Sequence, residues 1–307
     1  MRLVEIDAKN LLNPVSGCLA EWSQNAGSRG VTHTLNPFIG CPIGWSQCGR
    51  ACYAQHFLVW KKKGHSLSEW GRFVYLKRNA PELYFKEIRT RSGQNAVGIF
   101  MSSVTEPLPP HPRARAVTKA VLEAMVANPP GRGLIIQTHT SYAASPDIVN
   151  VLKELSQKTS VLVSISIETN REHIRGMIKP CCSIRKRLNA FKVLSSNNIA
   201  TQASISPIMP CTPEAFARQL RENGCWRVIL DHWEIGDGSK GQRTESTGVP
   251  NCLQRNGYDR QWFSAAILDD LQPIFEAQRF PGGVGRKESF FALIPNRACL
   301  SRCSSSA

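Results

Sequence analysis

The sequence predicts an α/β protein built on parallel strands, and three observations carry that expectation. From about residue 95 short apolar runs alternate with longer amphipathic patterns. The longer patterns carry helix start signals. Each apolar run also ends in a polar cluster, as strands that feed functional loops do. Strand-helix repetition of this length requires parallel strands joined by right-handed crossovers, which leaves a doubly wound sheet or a full or partial β/α barrel.

Taken in order, the first thirty residues, with their glycines and asparagines, read as an irregular leader. The strands are "VGIFM" from Val97, "LIIQT" from Leu134, "VLVSISI" from Val161, "ATQASIS" from Ala200 and "RVILD" from Arg227. Between them, Val117, Val121 and Met125 fall on one helical stripe, Ile148, Val151, Leu152 and Leu155 on a second, and Ile184, Leu188, Phe191 and Leu194 on a third. Ser145 and Thr212 each precede a proline and an acidic residue, which suits an N-cap and the helix dipole. Gly224 closes the helix that contains Phe216 and Leu220. After Asp231 the rhythm stops in a polar loop, and one further helix is expected around Trp262 to Phe275.

A chain of 307 residues with 42% hydrophobic content fills a substantial core, which excludes a peptide, a disordered tail or a collagen-like repeat. No run approaches the roughly 18 apolar residues of a membrane helix, and "MRLVEIDAKNLLNP" lacks the apolar stretch of a secretion signal, so a soluble, cytoplasmic protein without a membrane partner is expected. Subtracting 23 acidic from 38 basic residues gives a net charge of +15, which favours a polyanionic partner. Eleven cysteines cannot all pair within one chain, and a reducing compartment is the natural setting.

The strand ends are repeatedly polar. The first runs into Ser102, Ser103, Thr105 and Glu106, the second into Gln137, Thr138, His139 and Thr140. The third carries Ser164, Ser166 and Glu168, the fourth Gln202, Ser204 and Ser206, and the fifth Asp231, His232 and Glu234. A single such group only meets water at a strand end, whereas five in succession predict a polar ligand bound through hydroxyls and carboxylates.

The segment "TLNPFIGCPIGWSQCGRACYAQHF" places Cys41, Cys48 and Cys52 within twelve residues, just before the strand rhythm. Three thiolates on one glycine-containing loop can wrap a metal centre. Zinc competes for the same loop, with His56 as a fourth ligand, and three unrelated buried thiols are the plain alternative.

A three-cysteine loop leading into a β/α architecture resembles the radical S-adenosylmethionine (SAM) superfamily. "NPFIGC" and "CYA", followed by "MSSVTEP" and "VSISIE", are similar to its spore photoproduct lyase-like branch, over roughly residues 32 to 235. The resemblance implies a partial (β/α)6 barrel of the TIM type, with an N-terminal extension over 1–31, a core over 32–235 and a C-terminal extension over 236–307. It implies that Cys41, Cys48 and Cys52 hold a 4Fe-4S cluster whose fourth iron binds SAM, and that reductive cleavage gives a 5′-deoxyadenosyl radical for hydrogen abstraction. By the same resemblance Ser102, Ser103, Thr105 and Glu106 meet the methionine amino group, Ser166 and Glu168 the ribose or carboxylate, and Ser204 and Pro207 flank the adenine. An electron donor such as flavodoxin or ferredoxin is implied, and a nucleic-acid substrate for a lyase-like or modifying reaction.

The chain departs from the family in two places. The family separates its ligands by three and then two residues, which puts the second at Trp45, whereas here six and then three residues intervene. Around Thr140 the family's lysine is absent. The other cysteines Cys181, Cys182, Cys211, Cys225, Cys252, Cys299 and Cys303 offer a second cluster, a hydrogen-atom donor to a product radical, or ordinary reduced thiols. Cys225 beside Trp226 reads as core, and Cys252 with Cys299 and Cys303 offers an auxiliary metal site.

Between residues 50 and 91 ten basic residues face three acids, interleaved with Trp60, Trp70, Phe73, Tyr75, Tyr84 and Phe85. That pattern fits phosphate contact with base stacking, or equally an amphipathic helix pair with a solvated cationic face. Arg185, Lys186, Arg187 and Lys192 read as the outer face of a helix. Two functions of different classes follow: a radical SAM enzyme, and a zinc-containing nucleic-acid-binding protein without catalysis.

Overall fold

Every apolar run read from the sequence becomes a strand. The computed structural model describes residues 1–56, 58–90, 96–236 and 239–294. Its strands are β1 (Arg2–Ile6), β2 (Leu12–Pro14), β3 (His33–Leu35), β4 (Phe38–Ile39), β5 (Phe73–Lys77) and β6 (Gly98–Met101), then β7 (Gly133–Thr138), β8 (Val161–Ser166), β9 (Ala200–Ile205), β10 (Arg227–Leu230) and β11 (Val284–Gly285). Eight of them form one sheet in the order β11-β10-β9-β8-β7-β6-β3-β2. All its pairings are parallel except that of β2 with β3. The sheet is open, with β2 and β11 at its edges, so the protein is α/β without a closed barrel. A smaller sheet, β1-β5-β4, stands beside it.

Alternation along the strands divides the core. Ile99, Met101, Leu134, Ile136, Val163, Ile165, Ile205, Val228 and Leu230 pack with the helices Pro112–Ala127, Pro146–Lys158, Ile184–Ser196, Pro213–Glu222 and Ile267–Glu276. Phe100, Ile135, Leu162 and Ile229 meet Phe290, Phe291 and Leu293 of the C-terminal segment instead. Two residues further along the same strands stand Gln137, Ser164 and Asp231, so apolar packing on this second face gives way to polar groups toward the strand ends.

The helical stripes fall where the sequence places them, with Val121, Met125, Ile148, Leu152, Leu155, Phe191 and Leu194 buried. Ser145 and Thr212 occupy the N-cap positions before Pro146 and Pro213, yet neither side chain caps its helix. Ser145 Oγ donates to the Tyr142 carbonyl at 2.7 Å instead. Gly224 adopts a left-handed φ of 78° at its helix end, where a Cβ would stand 2.6 Å from Ser195 Oγ.

Four expectations are corrected. The first thirty residues are no irregular leader: they supply β1, β2 and the helix Cys18–Asn25, because short strands gain their pairing from residues far along the chain. Between residues 58 and 90 two helices of unequal length, Leu58–Lys61 and Ala80–Thr90, are separated by a 3-10 turn, Leu67–Glu69, and the strand Phe73–Lys77, so the segment is more than the helix pair expected. Beyond Asp231 stand the short helices Trp233–Gly236, Gln242–Ser246 and Val249–Arg255 before the expected one, and β11 returns to the sheet. Arg187 is not on an outer face but 2% exposed in the interior. It recurs with Ile184, Phe191 and Leu194 on the buried stripe of its helix. Among the described residues no helix is long and apolar enough to cross a membrane.

Candidate metal and ligand site

The cysteine loop leaves β4 through Gly40, whose φ of 86° and close approach to the Phe73 carbonyl admit no side chain. Thr105 Oγ1 donates to the Gly40 carbonyl at 2.7 Å and ties the loop to the segment after β6. Cys41, Cys48, Cys52 and Cys181 gather in one apolar cluster with Ile43, Trp60, Trp70 and Phe73. The nine described cysteines are free thiols. Burial pushes Cys41 and Cys52 up from the ordinary thiol range, and Cys41 is raised further by its neighbour Cys52. Burial and then Cys52, Cys41 and Cys181 do the same to Cys48, and burial pushes Cys181 up to about 12. Thiolates in this pocket therefore need a cation to neutralise them.

A chain of polar contacts runs from the thiols into the sheet. Cys48 Sγ lies 3.5 Å from His139 Nε2, and His139 Nδ1 lies 3.2 Å from Glu168 Oε1. Arg187 Nη1 donates to Glu168 Oε2 at 2.9 Å and to the Ser166 carbonyl at 2.6 Å. Burial opposes ionisation of Glu168, but Arg187 and His139 hold its carboxyl well below the usual carboxylate range. Glu106 accepts from Thr138 Oγ1 at 2.6 Å, from the His139 amide at 2.7 Å and from the Leu108 amide at 2.9 Å. Burial raises its pKa.

Part of this set borders a cavity of about 190 Å³ at the strand ends. Cys48, Cys52, Cys181, His139, Glu168 and Arg187 form one wall, while Trp22, Phe100, Phe290 and Phe291 form an apolar one. Ser204, Ser206 and Asp231 line it as well. Ser204 Oγ and Arg187 Nε are buried without a hydrogen-bond partner. Polar atoms left in that state cost about 1–3 kcal/mol each, so their presence in a cavity wall points to a polar ligand.

The structure thus brings Cys41, Cys48, Cys52, Ser166, Glu168 and Ser204 around one region. Ser166 Oγ accepts from Gln137 at 2.9 Å. The 102–106 segment stands behind the loop: Ser103 accepts from Asn36 at 3.0 Å, and Glu106 braces His139. Ser102 holds a left-handed φ of 79° with its buried Oγ unpartnered. Sequence reasoning missed Arg187, for which the stripe position was the available signal, and it did not place Cys181 beside the loop thiols.

Among the described residues no three or more His, Cys, Asp or Glu side chains converge on one point as ligands of a single ion. His56 Nε2 is buried without a hydrogen-bond partner, and burial lowers its pKa. Cys225 is buried in the main core. Cys252 Sγ donates to the Gly176 carbonyl at 3.0 Å, whereas Cys299 and Cys303 lie outside the described residues. Of the rings between 50 and 91, Trp60, Trp70, Phe73 and Tyr84 are buried, and Phe85 is exposed under Arg89. The four buried rings are core residues rather than a stacking platform.

Asp231 makes a pH prediction. Burial raises its pKa from 3.8 to about 6, against the opposing donation from Ser206 Oγ at 2.8 Å. The folded state then binds more protons than the unfolded one between those values, so this residue lowers stability as pH rises from about 4 to about 6, by about 3 kcal/mol in all. Chemical denaturation across that range should show the decline in the wild type and a flatter profile in Asp231→Asn. Parallel profiles would refute the assignment.

No family model matches the chain. It is 28% identical over 162 residues to an uncharacterized protein of Methanocaldococcus jannaschii, an alignment covering 52% of this chain and 55% of that protein. The chain therefore spans about half the length of the curated relative it matches.

Proposed function

We propose that the chain is a radical SAM enzyme of the spore photoproduct lyase-like kind. The observation that carries this reading is the gathering of Cys41, Cys48 and Cys52 beside a cavity at the C-terminal ends of parallel strands, with Ser204 Oγ and Arg187 Nε unpartnered in its wall. The run β3-β6-β7-β8-β9-β10, parallel throughout, supports a partial (β/α)6 barrel.

The residues fit an iron-sulfur cluster by the chemistry of their donors. A polynuclear cluster spreads its thiolates over several metal corners and does not need them to meet at one point. Cys41, Cys48 and Cys52 would hold a 4Fe-4S cluster, and Ser204, Ser166 and Glu168 would take part in binding SAM. When bound, these groups supply a 5′-deoxyadenosyl radical for hydrogen abstraction.

The chain's own residues do the rest. His139 orients toward Cys48 and is itself oriented by Glu168, the second layer of contacts that fixes a metal ligand. Arg187 keeps Glu168 ionised and leaves Nε free to meet an anionic ligand group. Trp22, Phe290 and Phe291 line the cavity with apolar surface and exclude water there, which a reactive intermediate requires. The net charge of +15 favours a nucleic-acid substrate, held through phosphates rather than by the buried rings.

The test is anaerobic purification, then reduction with dithionite or a reduced flavodoxin in the presence of SAM. A brown protein with about four irons per chain that forms 5′-deoxyadenosine is expected. A colourless protein with one stoichiometric zinc would establish the second reading, a zinc-containing nucleic-acid-binding protein, to which the unpartnered Nε2 of His56 gives some support.

A further inference from the structure

A second cavity, of about 420 Å³, lies against the small sheet and the cysteine loop, lined by Gly40, Trp60, Trp70 and Lys77. Alternation along β5 puts Phe73, Tyr75 and Lys77 on one face. The backbone of Lys77 is committed, since its amide donates to the Pro37 carbonyl at 3.2 Å. Its side chain is not. Lys77 is 8% exposed and makes no side-chain hydrogen bond or ion pair among the described residues.

No carboxylate among the described residues forms an ion pair with it. The charge of Glu87 acts on Lys77 without an ion pair between them, and the Glu87 oxygens accept from the amides of Leu11 and Leu12, each at 2.8 Å. Asp7, in the cavity wall, is held by Arg78 at 2.9 and 2.7 Å. The remaining charges in the lining are cationic: exposed Lys9, and Lys63 with Nζ 4.7 Å from the Tyr75 ring centroid. A buried ammonium without an ion-pair partner is expensive, and burial, against the weaker effect of Glu87, has drawn the Lys77 pKa down to about 8.

We propose that this cavity binds a phosphate group, with Lys77 as its buried charge contact and Lys9 and Lys63 at its rim. A phosphate supplies the missing ion-pair partner and enough oxygens for three ammonium groups, which a single carboxylate does not. The phosphate belongs either to a free nucleotide or to a nucleic-acid backbone. The inference does not depend on the metal reading, because none of its groups is a thiol.

Binding of inorganic phosphate, adenosine monophosphate and a short oligothymidylate to the full chain at low salt tests it, read by calorimetry and by thermal unfolding. In the wild type at least one probe should bind and raise Tm. Lys77→Met should bind that probe at least about tenfold more weakly, and without ligand should unfold no lower than the wild type. Lys77→Arg should keep most of the affinity. Tighter binding of the oligonucleotide than of the mononucleotide assigns the site to a backbone phosphate, and the reverse order assigns it to a free nucleotide. Equal binding by the wild type and Lys77→Met, or no binding of any probe at millimolar concentration, overturns the proposal.

Discussion

Cys48→Ala is expected to lower the iron content of anaerobically reconstituted protein from about four per chain to less than about one, with loss of the brown colour. Cys48 is the thiol most enmeshed in the site. It feels Cys41, Cys52 and Cys181, and its Sγ lies 3.5 Å from His139. On the proposed reading, removing one of three ligands leaves the cluster incomplete. Cys225→Ala serves as the control, because Cys225 is buried in the helix-packed core and its Sγ donates to the Arg227 carbonyl at 3.1 Å. That variant should keep its iron while losing a little stability. Iron and acid-labile sulfide analysis, beside visible absorption, reads both. Full iron in Cys48→Ala with loss in Cys225→Ala would move the ligand set elsewhere.

Arg187→Met is expected to destabilise the protein by about 3–5 kcal/mol at neutral pH, because it strands the buried Glu168 carboxylate. Arg187 is 2% and Glu168 9% exposed, and the pair is 2.9 Å apart. Adding Glu168→Gln to that variant should restore much of the loss, since a neutral amide no longer needs the guanidinium. The pH dependence has a definite sign. With its pKa held below the unfolded value, Glu168 contributes stability above the ordinary carboxylate range and loses it on acidification. The deficit of Arg187→Met should therefore shrink as pH falls below about 4. Urea denaturation of the two variants and the wild type at several pH values decides it. A deficit below about 1 kcal/mol would mean that the pair is solvated, as exposed pairs are.

Both effects concern residues whose visibility in the sequence differs. Cys48 was legible because three cysteines within twelve residues, set among glycines, form a local pattern. Arg187 was misread because it sits among Arg185, Lys186 and Lys192, a basic run that imitates a solvated face. Only its phase with Ile184 and Phe191 distinguished it. What made its burial tolerable, Glu168, is nineteen residues away in the loop that follows β8.

The sequence by itself determined the strands β6 to β10, the helices that follow them and the polar character of their ends, because alternation and 3.6-residue periodicity are written within a few consecutive residues. It could not determine that residues 2–6 and 12–14 pair with distant strands, that Val284–Gly285 rejoins the sheet, or that the sheet stays open between those edges. Nor could it place Cys181 among the loop thiols or bury Lys77 without an ion-pair partner. Those outcomes depend on which chain segments come to lie side by side, and strands of two or three residues carry too little periodicity to specify a partner. Their pairing and the charges buried beside it are fixed by packing across the whole molecule.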